Sequence, residues 1–381
     1  MPGYGTIYVV LWALSRDKSI AREWLVILQI LLAAVAAALF GDLISNLTQK
    51  EVLRIPTTLV YASLPFVVRY EYVLGSEGIY HSFLTFSIWT LYKSYLRNNK
   101  MLILSGVFLT MAYNIRPLTI VMFPAFLLYI LLISIDSPWK KVTSFLSSLI
   151  LFESIWIPIN YFVYRKPYIT LKYHFAPGID STEWWRISEL LRSVGDNYYW
   201  FYYSSYKLPQ RAYTSDFGPR EEKHLVALLK GYYADSIPEI AVVRYALAWE
   251  QSIKREKPFL YYILSRFYST MNFLTSHLQE HVVYTPFWRV GGIHAIIYLY
   301  SMVIWSVVIG GGLILSLYYL LKWRDYPFMA FLGLSGNIGW AAYAALGLIQ
   351  SRYILMGLVF LMALVTAAIG RIKSDISPNH R

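Results

Sequence analysis

The sequence predicts an all-α integral membrane protein, with about nine transmembrane helices and one large, mainly helical outer-face loop. Three observations carry this. The 381 residues are 57% apolar and only 15% charged, against about 25% charged in a soluble domain. Mean hydropathy is +0.44. Apolar runs recur along the chain, and the connections between them are short and rich in Lys and Arg. The 34 Tyr and 13 Trp residues suit interfacial belts. The net charge of +12 fits helix orientation and anionic lipid. No basic stripe, RNP motif or zinc-finger spacing accompanies it, which argues against nucleic acid as a partner. The absence of cysteine excludes a disulfide framework and thiolate chemistry.

The elements follow in chain order. Residues 7–14 are apolar but too short to span, since a spanning helix needs about 20 residues; they read as a surface or re-entrant helix. Residues 24–40 are the first clear span, rich in Leu and Ala. Residues 55–68 are a second, weaker span, with Pro56 at its start and Pro65 as a kink. The runs 78–92, 101–113 and 118–135 follow, then 142–164, which Glu153 interrupts. Residues 293–321 form a seventh span with a hinge or close-packing point at Gly310-Gly311-Gly312, and 328–349 and 354–369 are the last two. This divides the chain into amino-terminal membrane helices (1–164), an extracytoplasmic loop region (165–292), and carboxyl-terminal membrane helices with a tail (293–381).

Charge assigns the sides. One set of alternate connections holds twelve basic residues, among them Lys50, Arg54, Lys93, Lys140, Lys141, Lys322, Arg324 and Arg371. The opposite set of short connections holds six: Arg16, Lys18, Arg22, Arg69, Arg116 and Arg352. Basic connections stay inside, so the carboxyl terminus is cytoplasmic and the 165–292 region extracytoplasmic, in a multi-pass protein of the plasma (inner) membrane. Nine spans place residues 1–23 outside without a signal segment, which implies a further span before them. Within the loop region, 220–251 has helical periodicity through Leu225, Leu228, Leu229, Ile240, Val243 and Leu247, and 261–273 fits a second helix lying on the membrane.

This topology gathers polar groups on the outer face: Tyr4, Glu71, Glu77, Arg116, Gln350, Arg352 and Tyr353. Arg116 stands out, because it lies between two long apolar runs and a charged group there is costly. An arginine suits a phosphate, since its planar fork donates two hydrogen bonds and stays charged. A carboxylate nearby orients an arginine or a sugar hydroxyl, or takes a proton. The competing reading is that these are loop charges snorkelling to lipid headgroups.

Several segments resemble the polyprenol-phosphate-dependent GT-C glycosyltransferases, the dolichyl-phosphate-mannose protein mannosyltransferase and aminoarabinose transferase group. Pro2-Gly3-Tyr4-Gly5 resembles that family's Pro-Gly-Tyr-Pro segment, and Ser76-Glu77-Gly78 its Ser-Glu-Pro segment, with glycine in place of proline. Asn114-Ile115-Arg116-Pro117 followed by Phe123-Pro124 resembles its Thr-Arg-Pro segment and downstream proline. Ser351-Arg352-Tyr353 resembles its Arg-Tyr segment, and the stretch 250–273, with Pro258 and Arg266, is also similar. The resemblance implies an inverting transfer of a sugar from a polyprenyl-phosphate carrier to a glycan, lipid or protein acceptor. Tyr4, Glu77, Arg116, Arg352 and Tyr353 are its substrate-binding candidates. It also implies a catalytic acid in a first outer loop, ahead of the Pro-Gly-Tyr segment. This chain begins at that segment, so no residue is assigned as catalytic base; the expectation is a chain cut short, or a remnant without its base. No cofactor is assigned, and a divalent metal stays open.

Other signals weigh less. His277-Leu-Gln-Glu280-His281 matches a zinc pattern but lacks a third ligand, since no glutamate follows Glu280. The aromatic run 198–203 reads as an anchor or loop core before a sugar-stacking wall. Gly310–Gly312 has no preceding strand or following lysine, so it is not a nucleotide loop. Three rivals remain: an O-antigen-type polymerase or ligase, a transporter, and a non-catalytic lipid-binding membrane protein. A transporter predicts internal repeats and helices broken at mid-membrane, and no repeat is visible.

Overall fold

The computed structural model describes residues 2–64, 77–96, 99–133, 137–164, 236–264, 292–345 and 351–375, with isolated positions between 220 and 234. Glu71, Pro65, Gln350, Arg266, the 198–203 run and the 277–281 histidine pattern lie outside these residues. Regular structure is entirely helical among the described residues. The chain divides into two units. The first is Met1–His174, Leu278–Trp340 and Ile354–Arg381; the second is Phe175–His277 and Ala341–Tyr353.

The first unit opens with a helical hairpin, α1 (Pro2–Ser15) and α2 (Lys18–Thr48). Asp17 caps α2, its carboxylate accepting from the amides of Ser19 (2.6 Å) and Ile20 (3.1 Å), which satisfies orphan donors of the first turn. Gln49 ends α2 in the left-handed conformation (φ 56°), its amide donating to Ser45 O. A short 3-10 turn leads into α3 (Arg54–Ala62), so the weak second span is helical for only nine described residues. Next come α4 (Glu77–Leu96) and α5 (Asn99–Ile115). The run 118–135 is not one helix: Pro117 opens a 3-10 segment, Pro117–Met122, before α6 (Phe123–Ile133). The sixth run is α7 (Pro138–Tyr164), which continues through both Glu153 and Pro158. Past the loop region, α9 (Ile293–Ser306) and α10 (Gly312–Leu321) are joined by a π-helical turn, Val307–Gly311. The glycines there stay helical, and close packing is confined to Gly312, where an added Cβ would press on Leu361, while one on Gly310 would meet nothing within 4 Å. The last helices are α11 (Pro327–Ala345) and α12 (Ser351–Asp375).

Two described helices are individually long and apolar enough to cross a membrane, Lys18–Thr48 and Val303–Leu321. Others are shorter or carry buried polar residues, so the described helices do not reproduce the count of nine. α4 is the clearest case, burying Ser82, Thr85, Ser87 and Thr90. Their hydroxyls are satisfied within helices: Ser82 donates to Gly78 O and Thr85 to His81 O. Ser87 and Ser105 each donate to the other's carbonyl at 2.9 Å, a reciprocal clasp of α4 on α5 that suits packing in an apolar solvent.

α5 packs against both α4 and α7, while α2 packs on α1, α3 and α4; α1 also touches α5. An aromatic core links α6, α7, α11 and α12 through Phe126, Phe145, Phe331 and Phe360. Basic residues from separate connections meet at one end. Asp42 accepts from Trp89 Nε1 (2.7 Å) and Lys93 Nζ (3.0 Å). Lys50 donates to Gly370 O and Arg371 to Leu47 O, and Arg371 stacks on Tyr326.

In the second unit, α8 (Glu239–Glu256) starts at Pro238, which is extended (φ −70°, ψ 145°). Proline blocks a continuous helix through 220–251. Glu250 is buried and accepts from Lys254 and from Tyr261 in the π turn Leu260–Leu264, both at 2.7 Å.

Candidate functional site

The site forms where α1, α2, α4 and α5 meet. Arg116 follows the last residue of α5 in extended conformation (φ −135°, ψ 102°), as expected before a proline. Its amide still bonds to Ala112 O, so the side chain is aimed from a fixed point. The Arg116 guanidinium, 4% exposed, forms an ion pair with the Glu77 carboxylate, 6% exposed, at the first residue of α4. It also lies over the Tyr80 ring, 5.7 Å from the centroid. Thr119 donates to Arg116 O (2.6 Å) and lies 3.3 Å from the Tyr80 hydroxyl.

The snorkelling reading therefore does not describe Glu77 or Arg116. Each is buried and is held by the other, the arrangement in which charges withdrawn from water are tolerable.

Tyr4 joins them from α1. Its hydroxyl donates to Gln29 Oε1 on α2 (3.2 Å), and Gln29 is fully buried. Burial first, and then the charge of Glu77, push the Tyr4 hydroxyl up to about 12. Tyr4 is thus a neutral hydrogen-bond donor at any physiological pH and not a base. α1 is a 14-residue helix, too short to span.

Helix rise fixes the depth of this cluster. From Gln29 to Thr48, at the basic end of α2, the helix runs about 28 Å; from Glu77 to Lys93 along α4 it runs about 24 Å. A hydrocarbon core is about 30 Å thick. The cluster and the basic residues Lys50, Lys93 and Arg371 thus stand about one hydrocarbon thickness apart.

Of the sequence-stated candidates, the fold brings Tyr4, Glu77 and Arg116 together. Arg352 and Tyr353 are in the first turn of α12, and only their backbone is described. Sequence reading missed Gln29, Tyr80, Thr119 and His81. His81 lies one turn after Glu77, is buried, and has neither ring nitrogen hydrogen-bonded to a described residue. Its spacing from Glu77, i to i+4 on a helix, was the available signal. Glu153 is paired with a neighbouring helix: Asn114 Nδ2, on α5, donates to its Oε1 at 3.2 Å. Among the described residues no group of three or more His, Asp or Glu is placed to hold a metal ion.

Residues 8–157 match the family model described as dolichyl-phosphate-mannose-protein mannosyltransferase. The match takes in Glu77 and Arg116 but ends before the loop region. Comparison with curated proteins and with solved structures gave no match.

Proposed function

We propose, from the premise that residues 8–157 belong to the GT-C type of membrane glycosyltransferase, that this chain handles a polyprenyl-phosphate-linked sugar at the outer face of the membrane. The acceptor class, glycan, lipid or protein, follows the family. The observation that carries the reading is the buried Arg116–Glu77 pair with Tyr4 beside it, about one hydrocarbon thickness from the basic end. A headgroup phosphate at the outer boundary meets a guanidinium at this depth, while its isoprenoid tail stays among apolar helices. The nine-span topology, a cytoplasmic carboxyl terminus and an extracytoplasmic 165–292 region belong to the same proposal; Arg352 and Tyr353 stay substrate-binding candidates within the second unit.

In the reaction, the acceptor hydroxyl oxygen attacks the anomeric carbon while the bond from that carbon to the phosphate oxygen breaks, with inversion. The hydroxyl proton passes to a carboxylate, and negative charge grows on the leaving lipid phosphate. Arg116 stabilises that charge, since preorganised cations aimed at developing charge lower the barrier. Glu77 holds the guanidinium in place before the phosphate arrives. Glu77 is engaged by Arg116 and is not assigned as the base.

The test is turnover of a polyprenyl-phosphate sugar by the full chain in native membranes, against Arg116→Ala. Read per molecule of inserted protein, because loss of the ion pair also lowers stability, the variant is expected to lose turnover by 100-fold or more, on the order of the loss when a transition-state charge donor is removed. Undiminished turnover in a well-inserted variant would overturn the role of Arg116.

A further inference from the structure

A cleft of about 250 Å³ opens between α6, α10 and α11. Its walls are almost wholly apolar: Ala125, Leu128 and Leu132 from α6, Leu320 and Trp323 at the end of α10 and just past it, and Phe331 from α11. The three helices pack on one another around it. The Tyr129 ring meets those of Phe328 (5.4 Å) and Phe331 (4.9 Å). A Cβ on Gly333 would come within 2.9 Å of Ser316 Cα, so α10 and α11 are in close contact. Leu128 and Leu132 are half exposed, which leaves the cleft open along α6.

The cleft lies at the basic end of the first unit. Phe328, next to the lining residue Pro327, meets Tyr92 (4.9 Å), the neighbour of Lys93, and Tyr326 underlies Arg371. From Leu132 back to Ala125 the cleft runs about 10 Å along α6, within one leaflet of a hydrocarbon core about 30 Å thick. Two cations stand at its mouth, on either side of Trp323. The Arg324 guanidinium lies over the Trp323 ring at 5.6 Å, and the Lys322 ammonium over Tyr318 at 5.3 Å. Both residues are exposed, and neither has an ion pair with a described residue. Asp325 is the one carboxylate of the same turn and offsets part of their charge. Apolar walls give water no hydrogen bonds and a small polar ligand no fixed orientation. A hydrocarbon chain beneath an anion satisfies both the walls and the mouth.

We propose that this cleft is a phospholipid site, in which one acyl chain of an anionic glycerophospholipid lies between α6, α10 and α11 and its phosphate meets Lys322 and Arg324. Cations beside a membrane helix attract anionic lipid, and here they border a slot of the right polarity for the chain. The site requires that the first unit be embedded in a membrane and does not depend on sugar transfer. It stands about one hydrocarbon thickness from Arg116, so this phosphate and the carrier's phosphate are held at opposite boundaries.

The experiment offers the full chain, in mild detergent, equal amounts of dioleoyl phosphatidylglycerol and dioleoyl phosphatidylcholine, and counts retained lipid by native mass spectrometry. Each cation near an anionic surface adds about fivefold. With Asp325 offsetting part of this, wild type is expected to retain the anionic lipid about tenfold over the zwitterionic one. Lys322→Gln/Arg324→Gln should bring the two lipids to near parity. Leu128→Trp, which fills the cleft from its open side, should lower retention of the anionic lipid several-fold. All three positions are exposed, and melting temperatures recorded alongside separate loss of lipid from loss of fold. Equal retention of both lipids by wild type would leave bulk lipid as the occupant and overturn the site. Unchanged preference in the double variant, or unchanged retention in folded Leu128→Trp, would overturn it as well. Dolichyl phosphate, added as a third competitor, should displace little of the anionic lipid; full displacement at equal concentration would give the cleft to an isoprenoid tail and overturn the phospholipid.

Discussion

Arg116 and Glu77 depend on each other, which sets the outcome of changing either. Arg116→Ala leaves a carboxylate buried without its cation, and breaking a buried pair from one side costs about 3–5 kcal/mol. Glu77→Gln leaves the guanidinium with a neutral acceptor. The double variant Glu77→Gln/Arg116→Met removes the isolated charge and is expected to recover most of the stability lost in Arg116→Ala. Unfolding in mixed micelles would read this, and a double variant no more stable than Arg116→Ala would contradict it. Tyr4 gives a pH signature. Its folded pKa is raised from 10.0 to about 12, so the protonated form is favoured by folding. The contribution is fully present below pH 10 and is lost as pH rises towards 12. Tyr4→Phe should flatten the fall in melting temperature over that window, and an unchanged slope would deny it. Arg116 draws notice in the sequence because a charge between apolar runs is costly, whereas Glu77 and Tyr4 are marked by topology and by resemblance to a family's segments. Gln29 and His81 could not be read there, because their role depends on helices whose pairing no local pattern encodes.

Element boundaries follow physical causes that hydrophobic runs only partly reveal. The run 118–135 is apolar throughout, so its opening 3-10 segment is invisible to periodicity; Pro117 is the one sign of it, and that segment is what presents Arg116. Helices α11 and α12 are fixed by small residues. A Cβ on Gly357 would overlap the carbonyl oxygen of Gly336, and one on Gly339 would come within 2.9 Å of Gly357 Cα. Both glycines therefore mark a close backbone crossing, as small residues do between membrane helices. Gly357→Val must push α12 away from α11, and overpacking of this kind costs about 1–3 kcal/mol. Gly310→Ala, where an added Cβ meets nothing within 4 Å, is the matched control and should be close to neutral. Equal melting temperatures for Gly357→Val and wild type would remove the crossing as a determinant of stability.

Across the first unit, the charge asymmetry counted along the chain becomes a physical polarity. Lys50, Arg54, Lys93 and Arg371 gather with Asp42, Glu51 and backbone carbonyls at one end, and Tyr4, Gln29, Glu77 and Arg116 stand away from it. Alternation of basic connections was legible because it depends only on order along the chain. The span count is not confirmed among the described residues, where 3-10 segments and buried hydroxyls interrupt runs that composition alone treats as continuous. The polarity carries a sidedness that can be measured directly, because the chain contains no cysteine and any single cysteine introduced is the only thiol. Lys18, at the turn of the α1–α2 hairpin, and Arg324, in the α10–α11 turn, are both exposed. Basic connections resist translocation, so Arg324→Cys should be silent to a membrane-impermeant maleimide in intact cells and react once the cells are opened. Lys18→Cys, beyond the far end of α2 from the basic cluster, should react in intact cells. The opposite pair of results would turn the molecule over and place Arg116 at the cytoplasmic boundary, where an outer-face sugar transfer could not use it.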